Sequence, residues 1–82
     1  MKNCRMNNYA NKMCRKMASL SVLGDDIWDG LMYWKSNPNE DAHTDRVIEK
    51  IFDKIKTYCD NVIEMRKLAE SAEKSHNEEL SD

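Results

Sequence analysis

The second half of the chain carries apolar residues at the first and fourth places of a seven-residue repeat. The first places are Ile48, Ile55, Val62 and Ala69, and the fourth places are Ile51, Tyr58, Met65 and Ala72. Apolar residues at these two places form a stripe along a helix that packs against another helix. The pattern therefore predicts a long helix, of the coiled-coil type, from residue 44 to residue 75.

This helix is too long for a compact domain to cover. A helix over residues 44–75 measures about 48 Å, whereas a compact chain of 82 residues is about 30 Å across. We expect the six central positions, called the seam below, to bury against a second copy or against a helix of a target protein. A symmetric homodimer is the commonest solution, and the alternative is that the amino-terminal helices cover the seam completely within one chain. The seam consists of Ile48, Ile51, Ile55, Tyr58, Val62 and Met65.

The first residues of the chain predict a separate helix over residues 3–23. Its apolar stripe consists of Met6, Ala10, Met13, Met17 and Leu20, with Tyr9 and Cys14 at the edge. Gly24 follows, at the place where a helix often ends in the left-handed conformation that glycine adopts. Methionine suits adaptable binding surfaces as well as ordinary cores, and we expect this stripe to be core.

A short second helix is predicted over residues 26–35. Asp25 or Asp26 can cap its amino terminus. We expect Trp28 in the core, whereas Trp34 fits either the core or an anchor for a partner. Gly30 costs about 1 kcal/mol relative to alanine inside a helix, and it either permits a close helix contact or is a weak point. The apolar stripe of this helix consists of Ile27, Leu31 and Trp34.

The third helix has two possible starts. Asn37 as cap before Pro38, with Glu40 two residues later, is one, and a cap at Asp41 or Thr44 is the other. Residues 76–82 are polar and acidic and are predicted to form a disordered tail. The sequence thus predicts an all-α fold: a single helical domain over residues 1–75, with two shorter amino-terminal helices and one long, heptad-patterned carboxy-terminal helix.

Charge is strongly segregated along the chain. Residues 1–24 carry five basic and no acidic residues, and residues 25–82 carry eight basic and fifteen acidic residues. Basic segments often contact nucleic acid or acidic membrane surfaces. We expect the simpler arrangement, in which the basic segment lies against the acidic remainder of its own chain or of a second copy.

The sequence contains no pattern that is typical of a catalytic or metal site. His43 and His76 are far apart, and neither has a metal-ligand residue at the usual spacing. Cys4, Cys14 and Cys59 are an odd number without a close pair, which is typical of free thiols in a reducing cytoplasm. No apolar run approaches the about 20 residues of a membrane span. We expect a cytoplasmic, non-enzymatic protein without metal or cofactor.

Two classes of function remain open, a protein-binding regulator and a small nucleic-acid-binding protein. A helix-turn-helix protein needs a basic recognition helix, but the predicted second helix is acidic and aromatic. Protein binding is therefore the preferred interpretation, without a small-molecule substrate or membrane insertion. The predicted contact residues for a partner are Arg5, Lys12, Lys16, Tyr33 and Trp34.

The chain opens MKNCRMNNYANKMCRK, is short and rich in methionine, and ends in an acidic tail. In size and general character its whole length resembles the cytoplasmic antiholins of T4-like phages, which are accessory lysis-inhibition proteins. The resemblance implies a phage protein that binds the short cytoplasmic amino-terminal part of the holin and delays lysis. A phage inhibitor of a host defence or transcription protein would have a similar sequence, so that alternative stays open.

Overall fold

The protein folds as a hairpin of two long helices. The computed structural model describes the backbone of residues 2–37 and 41–81 and the side chains of residues 6–37 and 41–80. Helix α1 spans Lys2–Ser36 and helix α2 spans Ala42–Ser81, and the described residues contain no strand. The all-α class is confirmed. The hairpin is a rod of 62 × 15 × 14 Å with a radius of gyration of 18.4 Å, against about 12 Å for a compact chain of this length.

The prediction of two separate amino-terminal helices is wrong. Helix α1 continues through Gly24, Asp25 and Asp26, which were expected to end one helix and cap the next. No glycine of the described residues has a positive φ, so Gly24 does not form a left-handed cap. The physical reason is that Leu20 and Ile27 lie seven residues apart on one side of a continuous helix. The free energy gained by burying that side outweighs the cost of one glycine inside a helix, which is about 1 kcal/mol relative to alanine.

The two helices pack antiparallel along sides that repeat with alternating spacings of three and four residues. Contacts between Tyr9 and Ser75 near one end of the rod and between Gly30 and Ile51 toward the other end show the direction. In α1 the buried and half-buried positions include Met6, Tyr9, Met13, Lys16, Leu20, Leu23 and Ile27. In α2 they include Thr44, Val47, Ile51, Lys54, Tyr58, Asn61, Met65, Leu68 and Ala72.

The connection between the helices is closed by polar caps. The first predicted start, with Asn37 as the cap of α2, is wrong. The side-chain Nδ2 of Asn37 instead donates to the carbonyl of Tyr33 at 2.8 Å and so caps the end of α1. The second predicted start, with a cap at Asp41, is confirmed. The Asp41 carboxylate accepts a hydrogen bond from the backbone N–H of Thr44 at 2.7 Å. Pro38 and Glu40, the other parts of the first prediction, lie outside the described residues.

The Asp41 cap gives this end of the hairpin a dependence on pH. The hydrogen bond from the backbone N–H of Thr44 holds the pKa of the Asp41 carboxyl below its ordinary value of 3.8. Because the folded pKa is the lower one, the cap contributes fully above the ordinary value and is lost as the pH falls through the depressed pKa.

Helix α2 continues to Ser81. It thus includes residues 76–81 of the segment that the sequence predicted to be a disordered tail, while Asp82 lies outside the described residues. The spacing of three and four residues on the inner side continues from Ala72 through Ser75 to Glu79.

Gly30 and Gly24 occupy different environments, which yields a matched prediction. A Cβ at Gly30 would lie 2.7 Å from Cγ1 of Ile51, whose side chain is only 2 % exposed, whereas a Cβ at Gly24 would meet Tyr58 at an ordinary 3.7 Å. Both alanine variants gain helix propensity, but only Gly30→Ala overpacks the interface, at a cost of about 1–3 kcal/mol. Urea unfolding should therefore show that the free energy of unfolding of Gly24→Ala exceeds that of Gly30→Ala by about 1–3 kcal/mol. Equal effects would contradict the close packing at Gly30.

Candidate functional site

One side of the hairpin is polar and is held by bonds between the helices. The Nζ of Lys16 donates to Oδ1 of Asn61 at 3.2 Å and forms an ion pair with the Glu64 carboxylate. Further along the same side, Nζ of Lys54 lies 3.6 Å from the Asp26 carboxylate. The expectation that the basic segment lies against acidic residues of its own chain thus has a direct example in Lys16 and Glu64. These exposed pairs contribute little to stability, but they mark this side as hydrated.

A shallow groove of about 710 Å³ runs along this polar side, and we call it the basic groove. The Lys16–Glu64 pair forms part of its wall, and Lys12, Arg15 and Lys67 surround it. None of these three cations has a carboxylate partner among residues 6–37 and 41–80. The groove also contains an aromatic ring and an aliphatic side chain, from Tyr9 and Leu68. It therefore offers an anion several charge-assisted hydrogen bonds beside a small apolar surface.

The opposite side of the hairpin is apolar, and we call it the apolar face. Its positions form one strip on each helix, beside the helix–helix contact, again with alternating spacings of three and four residues. The α1 strip consists of Cys14, Met17, Ser21, Gly24, Trp28 and Leu31. The α2 strip consists of Ile48, Phe52, Ile55, Cys59 and Val62. Neither strip contains a charged residue, although 34 % of the chain is charged.

A shared cleft places both strips on the same side of the rod, and a ring contact extends this side to Trp34. Trp28 and Leu31 share a shallow cleft of about 260 Å³ with Ile55 of the other helix. Near the closed end of the hairpin, the rings of Trp34 and Phe52 meet edge to face, with centroids 6.0 Å apart. The strips are therefore continuous across the groove between the helices and make a single surface.

Large side chains of the apolar face are open to solvent. The exposed fraction is 62 % for Trp28, 53 % for Met17 and 47 % for Phe52. The prediction that Trp28 lies in the core is therefore wrong, and so is the expectation that Met17 is core. The reason is geometric: a hairpin of two helices covers only one side of each helix, and both residues lie beside that side.

The seam residues divide between two surfaces. Ile51, Tyr58 and Met65 lie on the side of α2 that faces α1, where Ile51 is almost completely buried. Ile48 and Ile55 are half-buried at the border with the apolar face, and Val62 is 44 % exposed. Helix α1 thus covers part of the seam within one chain, whereas the alternative interpretation of the sequence requires complete cover.

The predicted partner-contact residues do not form one site. Lys12 and Lys16 line the basic groove, and the side chain of Arg5 lies outside the described residues. Tyr33 and Trp34 lie near the closed end of the hairpin, where the Tyr33 ring meets the His43 ring edge to face at 5.7 Å. Twenty-one positions of helix, about 31 Å, separate Lys12 from Tyr33.

Sequence reasoning missed Arg15 and Lys67 of the groove and the apolar face as a surface separate from the core. Arg15 and Lys67 are far apart in sequence, and only the antiparallel packing brings them together. A signal for the apolar face does exist in the sequence, since a second charge-free strip accompanies the packed stripe of each helix.

The described residues contain no group of histidine, cysteine, aspartate or glutamate side chains that could hold a metal ion. Within the same part of the chain, neither helix has an apolar stretch long enough to cross a membrane. Comparison with protein-family models, curated proteins and solved structures finds no match.

Proposed function

We propose that the protein is a non-enzymatic regulator that binds an acidic segment of another protein in the basic groove, and that it acts as a homodimer. The observation that carries the proposal is the convergence of Lys12, Arg15 and Lys67 on one groove without carboxylate partners among the described residues. These cations repel one another, and a carboxylate-bearing ligand would relieve that repulsion.

The residues that line the groove favour a peptide segment over a small ion as its ligand. Its lining combines cations with Tyr9 and Leu68, so that it can contact both charged and apolar side chains. The hydroxyl of Tyr9 lies 3.4 Å from the Ser75 hydroxyl of α2, a contact that holds the Tyr9 side chain against that helix. Rim charges of this kind steer association and select partners more than they add affinity.

The specific target follows from the resemblance to cytoplasmic antiholins. That resemblance supports the cytoplasmic segment of a holin as the bound partner, with delayed opening of the inner membrane as the result. The protein would then act in the cytoplasm of a phage-infected host. An inhibitor of a host defence or transcription protein would use the same groove on a different target.

Charge reversal in the groove tests the proposal. The double variant Lys12→Glu with Arg15→Glu should weaken binding of a holin cytoplasmic peptide at least tenfold, because two attractive charges become repulsive. The control Arg46→Glu with Lys56→Glu makes the same change in net charge at exposed positions outside the groove, and it should bind within about twofold of the wild type. Isothermal titration calorimetry gives both affinities.

Three outcomes would contradict parts of this proposal. Equal loss in both variants would mean that the attraction is not specific to the groove. No binding of the holin peptide by the wild type, together with capture of a host protein that depends on Lys12 and Arg15, would favour the host-inhibitor alternative. Retention on heparin or DNA that falls steeply with salt would favour nucleic-acid binding.

A further inference from the structure

The single hairpin leaves more surface open to solvent than a stable monomer of its size. Its accessible surface is 6505 Å², whereas a compact monomer of 9.6 kDa has about 5,100 Å². The excess of about 1,400 Å² is within the range that each subunit buries in an obligate homodimer, about 1,000–2,500 Å². One further helical hairpin would supply the missing partner surface.

The core of one chain is correspondingly small. Among the described apolar side chains, the buried ones are Leu20, Ile51 and Ala72. Each helix thus has one apolar side that its neighbour covers and a second one, on the apolar face, that remains open. In a four-helix bundle each helix contacts two neighbours, and this requires two adjacent apolar stripes per helix.

We propose that the apolar face packs against the apolar face of a second copy, so that two hairpins form a four-helix bundle. The face carries no charge, so its burial does not remove a charged group from water. Large side chains such as Trp28 and Phe52 alternate along the two strips with smaller ones such as Ser21 and Cys59, which allows knobs of one copy to enter holes of the other. A twofold axis satisfies this arrangement with one surface used twice.

Pairing through the apolar face explains why the ion pairs and the basic groove are on the other side of the hairpin. The ion pairs Lys16–Glu64 and Lys54–Asp26 and the basic groove are on the side away from the apolar face. Both grooves of the bundle therefore point outward, and each remains open while the hairpins are paired. This inference rests on the homodimer of the proposed function and names its interface. Binding in the groove is independent of it, because the groove is on the other side of the hairpin and its charge-reversal test can fail or succeed separately.

Two exposed apolar residues of α1 provide a matched pair of variants. Trp28, on the apolar face, is 62 % exposed, and Val22 is 64 % exposed. Val22 lines a shallow cleft with Ser19 and Asn61, on the polar side of the hairpin. In sedimentation equilibrium the wild type and Val22→Lys should have twice the mass of the 9.6 kDa chain. Trp28→Lys should weaken the dimer by about thirtyfold or more, as expected for loss of a buried aromatic anchor.

A monomeric wild type at high concentration would overturn the proposal, whatever the variants do. A wild-type dimer that Trp28→Lys leaves intact and Val22→Lys disrupts would overturn it too, because the other side would then be the interface. Phe52→Lys, on the second strip of the apolar face, provides an independent check if Trp28→Lys does not fold. Helical circular dichroism should be retained in a variant that only dissociates.

Discussion

Replacement of Ile51 by alanine is expected to lower the free energy of unfolding by about 2–5 kcal/mol. The Ile51 side chain is 2 % exposed and lies against the backbone of α1 at Gly30. Gly30 has no side chain that could move into the space left by the truncated residue, so a cavity is expected there. A chain of this size has a total stability of about 4–12 kcal/mol, so the loss is a large fraction of it.

Ile63→Ala is the matched control for this prediction. Ile63 lies on the same helix, and its replacement by alanine removes the same atoms, but its side chain is 52 % exposed. Its replacement should cost less than about 1 kcal/mol. Urea unfolding followed by circular dichroism compares the two variants, and equal losses would show that the contact between α1 and α2 is not the core of the hairpin.

The second large effect is a dependence of thermal stability on protein concentration. If folding and pairing of the two copies are coupled, a hundredfold increase in chain concentration stabilises the folded dimer by about 2.7 kcal/mol. For a unit of two chains this raises Tm by about 5–10 °C. Calorimetry at several concentrations measures the shift.

The variants on the two sides of the hairpin should separate in this experiment. Trp28→Lys should melt at a lower temperature that no longer depends on concentration, while Val22→Lys should behave as the wild type. The two residues have nearly equal exposure in one chain. A wild-type Tm that stays constant over the whole range would contradict coupled folding and pairing.

The helical class could be predicted from the sequence, but the number of helices could not. Gly24 followed by Asp25 and Asp26 has the composition of a helix end and a new start. The competing signal is the continuation of the inner side from Leu20 and Leu23 to Ile27. Tertiary packing along the whole length of α2 outweighs local propensity, which is weak for single residues.

The surfaces were harder to predict than the helices, for a physical reason. A stripe of apolar residues shows that a helix side is covered, but it does not show which neighbour covers it. Lys16 and Asn61 lie in the contact between the helices as a hydrogen-bonded pair, and a search for apolar periodicity excludes both. The sequence assigns Trp28 to the core, as is usual in a small domain, whereas a single hairpin covers one side of α1 and leaves Trp28 62 % exposed.

Reactivity of Cys14 and Cys59 tests most directly whether the apolar face is the surface between two copies. Both thiols are free and exposed in the single hairpin, and they lie on different strips of the apolar face. A Cys4→Ser background removes the third thiol, and reaction with a chromogenic disulfide reagent reports the other two. Pairing through the apolar face predicts slow reaction at dimer-forming concentrations and fast reaction in Trp28→Lys. Fast reaction of both thiols in a protein with the mass of a dimer would contradict it.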